Sequence, residues 1–407
     1  MMLPMPNETT PDGFWLLDPA VTFLNHGSFG SCPRPVLDFQ RAIRDRIERQ
    51  PVRFFVRELE PLWDAARASL AAFVGAESQD LVFVQNATSG VNTVLRSIDF
   101  KKDDELLVTD HEYNACRNAL NFVAERSGAR VVVAPVPFPV REGGEITSAI
   151  LGCVTNRTRL ALVDHVTSQT GMVFPIEKMV RELTARGVET LVDGAHAPGM
   201  VPLRLESLGA THYTGNCHKW LCAPKGAGFL WVRRDRQNSI RPLTISHGAN
   251  SPRKDRSRFL IEFGWMGTGD PSAWLSVPEA LRVIGKLLPA GWPGVLKNNH
   301  ELALAGRRIL CEALRIAPPC PEYLVGSMAS VPLPPNTKRS QVQSPLYEDP
   351  LQDRLREHHN IEVPVIPWPA ISDLSKPQPR LLRISAQLYN SVEQYERLAH
   401  ALVQEIG

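Results

Sequence analysis

Leu191-Val192-Asp193-Gly194-Ala195-His196, followed downstream by Gly215-Asn216-Cys217-His218-Lys219-Trp220, is the pair of segments that decides how this chain reads. Leu191-Val192 ends an apolar run, so Asp193 is expected at the carboxyl end of a buried strand. Lys219 lies 26 positions further on, about one strand–connection–strand unit of an α/β sheet. Taken singly, Asp193 could cap a helix and Lys219 could be a solvated surface cation.

Together, an acid on one strand end and a lysine on the next meet the needs of a pyridoxal 5'-phosphate enzyme. The lysine holds the cofactor aldehyde as a Schiff base, and the carboxylate keeps the pyridine nitrogen protonated so that the ring withdraws electrons. A third element fits. Asn86-Ala87-Thr88-Ser89-Gly90 follows the apolar run Leu81–Val84 and opens a helix at Val91. Free N–H groups, small hydroxyls and the positive end of a helix dipole make a phosphate seat, although a plain helix cap by Thr88 or Ser89 uses the same residues.

The rest of the chain supplies a matching scaffold. Val21–Leu24 reads as a short strand, and Asn25–Gly30, with two glycines, as a tight turn. Residues 36–73 carry apolar positions at helical spacing, among them Leu59, Leu62, Trp63, Leu70 and Phe73. From about residue 80, strand, turn and helix alternate. The strands are Leu81–Val84, Glu105–Val108, Val131–Ala134, Leu160–Val163, Thr190–Val192 and Gly228–Val232. Continuous apolar runs flanked by helices predict a mostly parallel sheet covered on both faces. Beyond Pro278 come helices near 279–288 and 298–315, then a proline-rich region with Pro332, Pro334, Pro335, Pro345 and Pro350. A helix over Leu351–His359, a strand over Arg380–Ile384 and a helix over Val392–Ile406 close a smaller α+β unit.

Bulk properties narrow the function classes. The 407 residues carry a formal net charge of +2, with 22% charged residues, which gives no nucleic-acid footprint. The run Arg253-Lys254-Asp255-Arg256-Ser257-Arg258 reads as a solvated loop. No apolar stretch is long enough for a membrane span, and Met1–Thr10 lacks a basic segment followed by an apolar core. Seven scattered cysteines without a CxxC pair read as free thiols rather than a metal site, which places the protein in the cytoplasm.

The order of motifs resembles the class V aminotransferase family of fold-type I pyridoxal phosphate enzymes, in its isopenicillin N epimerase-like branch. Leu24–Gly30, Asn86–Thr88, Thr109–Tyr113, Asp193–Gly199, Gly215–Trp220, Trp265–Pro271 and Arg383–Ser385 carry the likeness. The resemblance implies the fold-type I α/β architecture: a large domain at 31–285 with a mostly parallel sheet, and a smaller α+β C-terminal domain at 286–407, joined by the segment 1–30. It implies Lys219 as the cofactor lysine, Asp193 as partner of the pyridine nitrogen and His196 as partner of the phenolic oxygen. Ala87, Thr88, His218 and Asn216 fall in the cofactor shell, with phosphate ligands at Thr88 and His218. Thr268 would reach the phosphate of a neighbouring subunit, making a homodimer with shared active sites. His111 would stack over the ring, Ser168 would lie near it, and Arg383 would clamp an α-carboxylate with Asn25 and Gly27 nearby. An arginine fork suits that ligand because it forms two parallel charge-assisted bonds.

The reaction at an amino acid, or at a small molecule containing one, stays open. Lys219 as base with His111 or Tyr113 as second acid gives epimerisation. Loss of a β- or γ-substituent makes a C–S lyase, and proton return to the cofactor makes an aminotransferase. A persulfide-type cysteine desulfurase is not expected. Ile361–Leu382 holds no cysteine, and Cys320 stands 63 positions before Arg383. A non-catalytic scaffold would have lost cofactor residues, whereas this set is intact, and a nicotinamide dehydrogenase lacks its GxGxxG after the first strand.

Overall fold

The structure is a computed structural model that describes residues 13–336, 349–369 and 378–406. Met1–Thr10, Pro345 and part of the cysteine-free stretch before Arg383 lie outside the described residues.

A two-residue strand, β1 (Thr22–Phe23), precedes the large sheet. That sheet contains β2 (Leu81–Val84), β3 (Glu105–Thr109), β4 (Arg130–Ala134), β5 (Thr158–Asp164), β6 (Glu189–Gly194), β7 (His212–Asn216) and β8 (Gly228–Val232). Their order is β2-β8-β7-β6-β5-β3-β4. The pairings from β7 through β4 are parallel, and only β8 runs against its neighbours. Alternate residues serve opposite faces. Leu106, Val108, Leu160, Leu162 and Leu191 pack into one apolar cluster, and Leu107, Ala161, Val163 and Val192 into the other. Neither face of a parallel sheet can be left in water, because the crossover helices must bury their own apolar stripes there.

This register places the chemistry. Asp193 pairs with Thr214 on the adjacent parallel strand, so the carboxyl ends of β6 and β7 open side by side, with Lys219 just past the end of β7. The helix Ala87–Ser97 presents its amino end to the same edge. Asn86 caps it by accepting the Ser89 N–H at 2.9 Å. Close approach is built in by glycine. A Cβ on Gly90 would sit 2.0 Å from Thr214 Oγ1, and one on Gly228 would sit 2.8 Å from the Asn86 Cα.

The second unit contains β9 (Met328–Asn336), β10 (Ile361–Glu362), β11 (Val365–Pro367) and β12 (Gln378–Ser385), of which β11, β12 and β9 form a three-stranded sheet in the order β11-β12-β9. The helices Gly291–Leu314, Pro350–His359 and Val392–Ile406 pack with it. β1 pairs in parallel with β10, tying the chain start to this unit.

Three readings are corrected. Pro332, Pro334 and Pro335 stand within a strand, tolerated because β9 is an edge that pairs only with β12. The tight turn expected at Asn25–Gly30 is one helical turn, His26–Phe29, ended by Gly30 at φ +69°. The basic run at 253–258 is not merely solvated: Arg253 pairs with Glu60, and Arg256 with Asp64.

Gly90→Ala is expected to destabilise the fold by about 1–3 kcal/mol, since the methyl group must displace Thr214, whose hydroxyl donates to Phe229 O. Urea unfolding checks this, and an unchanged midpoint would mean that the helix moves away from the sheet without cost.

Candidate active site

Lys219 lies just beyond β7, and its Nζ is 2.9 Å from His196 Nε2. The Trp220 indole N–H donates to His196 Nδ1 at 3.4 Å, which leaves the neutral imidazole proton on Nε2, directed at the lysine nitrogen. That arrangement requires Lys219 as the free amine. Burial, and then the positive charge of Arg383, bring its pKa down to about 7. His26, fully buried, bonds the Lys219 carbonyl through Nε2 at 3.0 Å and the Tyr389 hydroxyl through Nδ1 at 2.8 Å, so the lysine backbone is held from behind.

Asp193 is buried at the end of β6. Its Oδ1 accepts the Ala195 N–H at 2.8 Å, and its Oδ2 accepts the Cys116 thiol at 3.2 Å. Burial pushes its pKa up, while these two donors and Lys219 pull it back. Nearby Glu112 and Asp164 are driven well above the usual carboxylate range, by burial first and then by the charge of the neighbouring acids. The negative charge therefore belongs on Asp193.

The phosphate-seat residues converge on the same edge. Thr88 is half-buried in the first turn of the Ala87–Ser97 helix. His218 donates from Nδ1 to Ala227 O at 3.1 Å, so Nε2 is its remaining polar atom. Asn216 Oδ1 accepts the Ala87 N–H at 2.8 Å. Asn216 Oδ1 and the Ala87 N–H thus fix the start of the helix.

Arg383, on β12, is buried. Its Nη1 donates to Ser168 O at 2.6 Å, and its Nη2 donates to Ser28 Oγ at 2.8 Å and Asn25 Oδ1 at 3.4 Å. Among the described residues no carboxylate pairs with it, and its buried Nε has no partner. Burial lowers its pKa to about 10, still cationic at neutral pH. A buried guanidinium without an anion is costly, and a carboxylate ligand is what relieves it.

Some expected residues do other jobs. His111 is fully buried, with Nδ1 on Thr170 Oγ1 at 2.8 Å, Nε2 on Val136 O at 3.0 Å and Trp368 against its ring at 4.4 Å. Both ring nitrogens are thus engaged within the chain, and the imidazole has no exposed surface. Tyr113, half-exposed, stands in the fields of Asp193, Cys116 and Arg383 instead. Gly27 donates its N–H to Ser385 Oγ at 3.0 Å, which packs the chain start against β12. Asn25 and Ser168 orient Arg383. Thr268 is exposed in the turn after Trp265. Sequence reading missed Ser28, Trp220 and Cys116. Ser28 was findable from its place beside Asn25, whereas Cys116 carries no motif.

Residues 52–289 match the family described as Aminotransferase class-V. The chain is 37% identical over 400 residues to an isopenicillin N epimerase of Amycolatopsis lactamdurans, covering 95% of each. It is 33% identical to a probable chloroplastic L-cysteine desulfhydrase of Arabidopsis thaliana, covering 95% of this chain and 83% of the relative. Among solved structures, a C-DES mutant with glycine covalently linked to its PLP cofactor superposes with a TM-score of 0.76 at 20% identity, covering 98% of this chain and all of the other. The chain belongs to the class V aminotransferase family. Pyridoxal 5'-phosphate is that family's cofactor, and the residues present fit it: a free amine, an anionic carboxylate behind it, and hydroxyl and imidazole groups at a helix amino end.

Because Lys219 is uncharged above about pH 7, capture of the cofactor by apoprotein is expected to rise through neutrality and level off above it. Arg383→Gln removes a depressing cation and should move that midpoint upward. Stopped-flow absorbance reads both. A midpoint near the ordinary lysine value of about 10.4 would contradict the depressed amine.

Proposed function

We propose that this chain is a pyridoxal phosphate-dependent enzyme acting at the α-carbon of an amino acid or small amino-acid-containing molecule, with epimerisation as its reaction. The observation that carries the substrate class is Arg383, a buried guanidinium with no anionic partner among the described residues, close enough to Lys219 to depress its pKa. Bound at Lys219, the cofactor supplies an electron sink that acidifies the substrate Cα–H. Asp193 holds the ring-nitrogen proton, His196 the phenolic oxygen, and Thr88 and His218 the phosphate. Arg383 grips the α-carboxylate, and Ser28, Asn25 and Ser168 hold the guanidinium plane still.

Epimerisation needs a proton donor on each side of Cα. Lys219 as the free amine is the base on one side. Tyr113 is the candidate on the other, its phenol kept protonated by burial first and then by the charge of Asp193. The isopenicillin N epimerase relatives support this reading. The second reading is a C–S lyase, favoured by the desulfhydrase relatives and served by the same cofactor shell without Tyr113; transamination is a third. Persulfide-type desulfuration is disfavoured because six of the seven cysteines are buried and Cys153 is half-buried, leaving no exposed thiolate to receive sulfur.

A panel of L- and D-amino acids and thioether amino acids, assayed together for racemisation, keto acid, and pyruvate, ammonia or sulfide release, separates these reactions. The expected outcome is racemisation that Tyr113→Phe abolishes while cofactor stays bound. Arg383→Lys should weaken substrate affinity by about 1–3 kcal/mol and leave bound cofactor unchanged, since lysine keeps the charge but not the fork. Sulfide release that survives Tyr113→Phe, without racemisation, establishes the lyase instead. Unchanged affinity in Arg383→Lys removes the carboxylate clamp.

The same reading makes the protein a homodimer in which Thr268 of one chain completes the phosphate seat of its neighbour. Val56, 74% exposed, lines an open cavity with Phe55 and Trp265, at the start of the turn that carries Thr268, so apolar surface lies beside it. Sedimentation should find a dimer at assay concentrations, and Thr268→Ala should lower cofactor affinity. A fully active monomer would end the shared-site idea.

A further inference from the structure

We infer that Cys116 is a positioning residue for Asp193: its thiol, donating to Oδ2, holds the carboxylate ionised and aimed so that Asp193 can keep the proton on the cofactor's pyridine nitrogen. This rests on Asp193 being the partner of that nitrogen.

The geometry is specific. Cys116 lies in the first turn of the helix Asn114–Ser127, with no exposed surface, and its Sγ is 3.2 Å from Asp193 Oδ2. The other oxygen already accepts the Ala195 N–H at 2.8 Å. The carboxylate is thus held at both oxygens by neutral donors, and rotation about its Cβ–Cγ bond would break both contacts. The thiol can only donate here, because burial and the adjacent acids raise its pKa far beyond neutrality. It is therefore no nucleophile.

Glu112 completes the arrangement. Its carboxyl, Cys116 Sγ and an Asp193 oxygen lie within 4.8 Å of one another. Glu112 Oε1 accepts the Tyr113 N–H at 3.2 Å, and Oε2 is buried without a partner among the described residues. Two carboxylates this close and this dry cannot both ionise. Asp193 has a donor on each oxygen, whereas Glu112 has one donor and a bare Oε2, so the negative charge settles where the cofactor needs it. Without the thiol that preference weakens, and the proton shared between Asp193 and the ring nitrogen moves toward the carboxylate.

The test uses holoenzyme reconstituted with cofactor labelled with 15N in the ring, comparing wild type, Cys116→Val, Cys116→Ser and Asp193→Asn. Solid-state 15N resonances report nitrogen protonation, steady-state kinetics report kcat and KM, and melting curves report folding. Cys116→Val, which fills the space without a donor, should shift the resonance toward the unprotonated position. It should also cut kcat roughly tenfold with little change in KM, as loss of a hydrogen bond to a charged group implies. Cys116→Ser should restore both. A resonance and kcat unchanged in Cys116→Val would overturn the proposal, as would a fall in melting temperature alone. If Cys116→Val does not fold, Cys116→Ala takes its place under the same criteria. If Asp193→Asn also leaves the resonance in place, the assignment of Asp193 fails, not only that of Cys116.

Discussion

Keeping two cations dry is the constraint around which this molecule is arranged. Lys219 and Arg383 are both buried, and the lysine feels the arginine's charge. Water cannot screen them there, so the lysine answers by shedding its proton near neutrality, and the arginine, which cannot, waits for an anion. The free amine suits capture of an aldehyde, and the unmatched guanidinium suits capture of a carboxylate. Burial thus produces the two reactivities that the proposed chemistry requires.

The surrounding fold serves to bring those groups together and hold them. Lys219 comes from the end of β7 and Arg383 from β12 of the second unit, and the chain start lies between them. Ser28 and Asn25 brace the guanidinium, and His26 braces the lysine carbonyl, all within one short segment. The four-residue turn His26–Phe29 is therefore a clasp between the two sheets. Gly27 is small because a Cβ there would meet the Met328 sulfur at 2.4 Å.

Acidic groups are distributed by the same logic. Asp193, Asp164 and Glu112 form a buried cluster in which one negative charge is sustainable and three are not. Donors from Ala195 and Cys116 select Asp193. His196 is kept neutral by burial, so it serves as a donor to the free amine rather than a competing cation.

Much of this was legible in the sequence, because apolar runs and motif spacing are local properties. Continuous apolar runs mark the parallel sheet, and the spacing of Asp193 and Lys219 alone assigns them to neighbouring strand ends. What the sequence could not decide was direction. His111 and Tyr113 are two residues apart in one motif, yet the first turns into the core beneath Trp368 and the second turns toward Arg383. Asn25, Ser168, Asn216 and Gly27 sit in recognisable motifs, but only tertiary packing shows that they brace other groups. Cys116 was invisible for the same reason: its partner lies 77 positions away on another element. Side-chain orientation depends on contacts between segments far apart in sequence, and those contacts exist only once the chain has closed on itself.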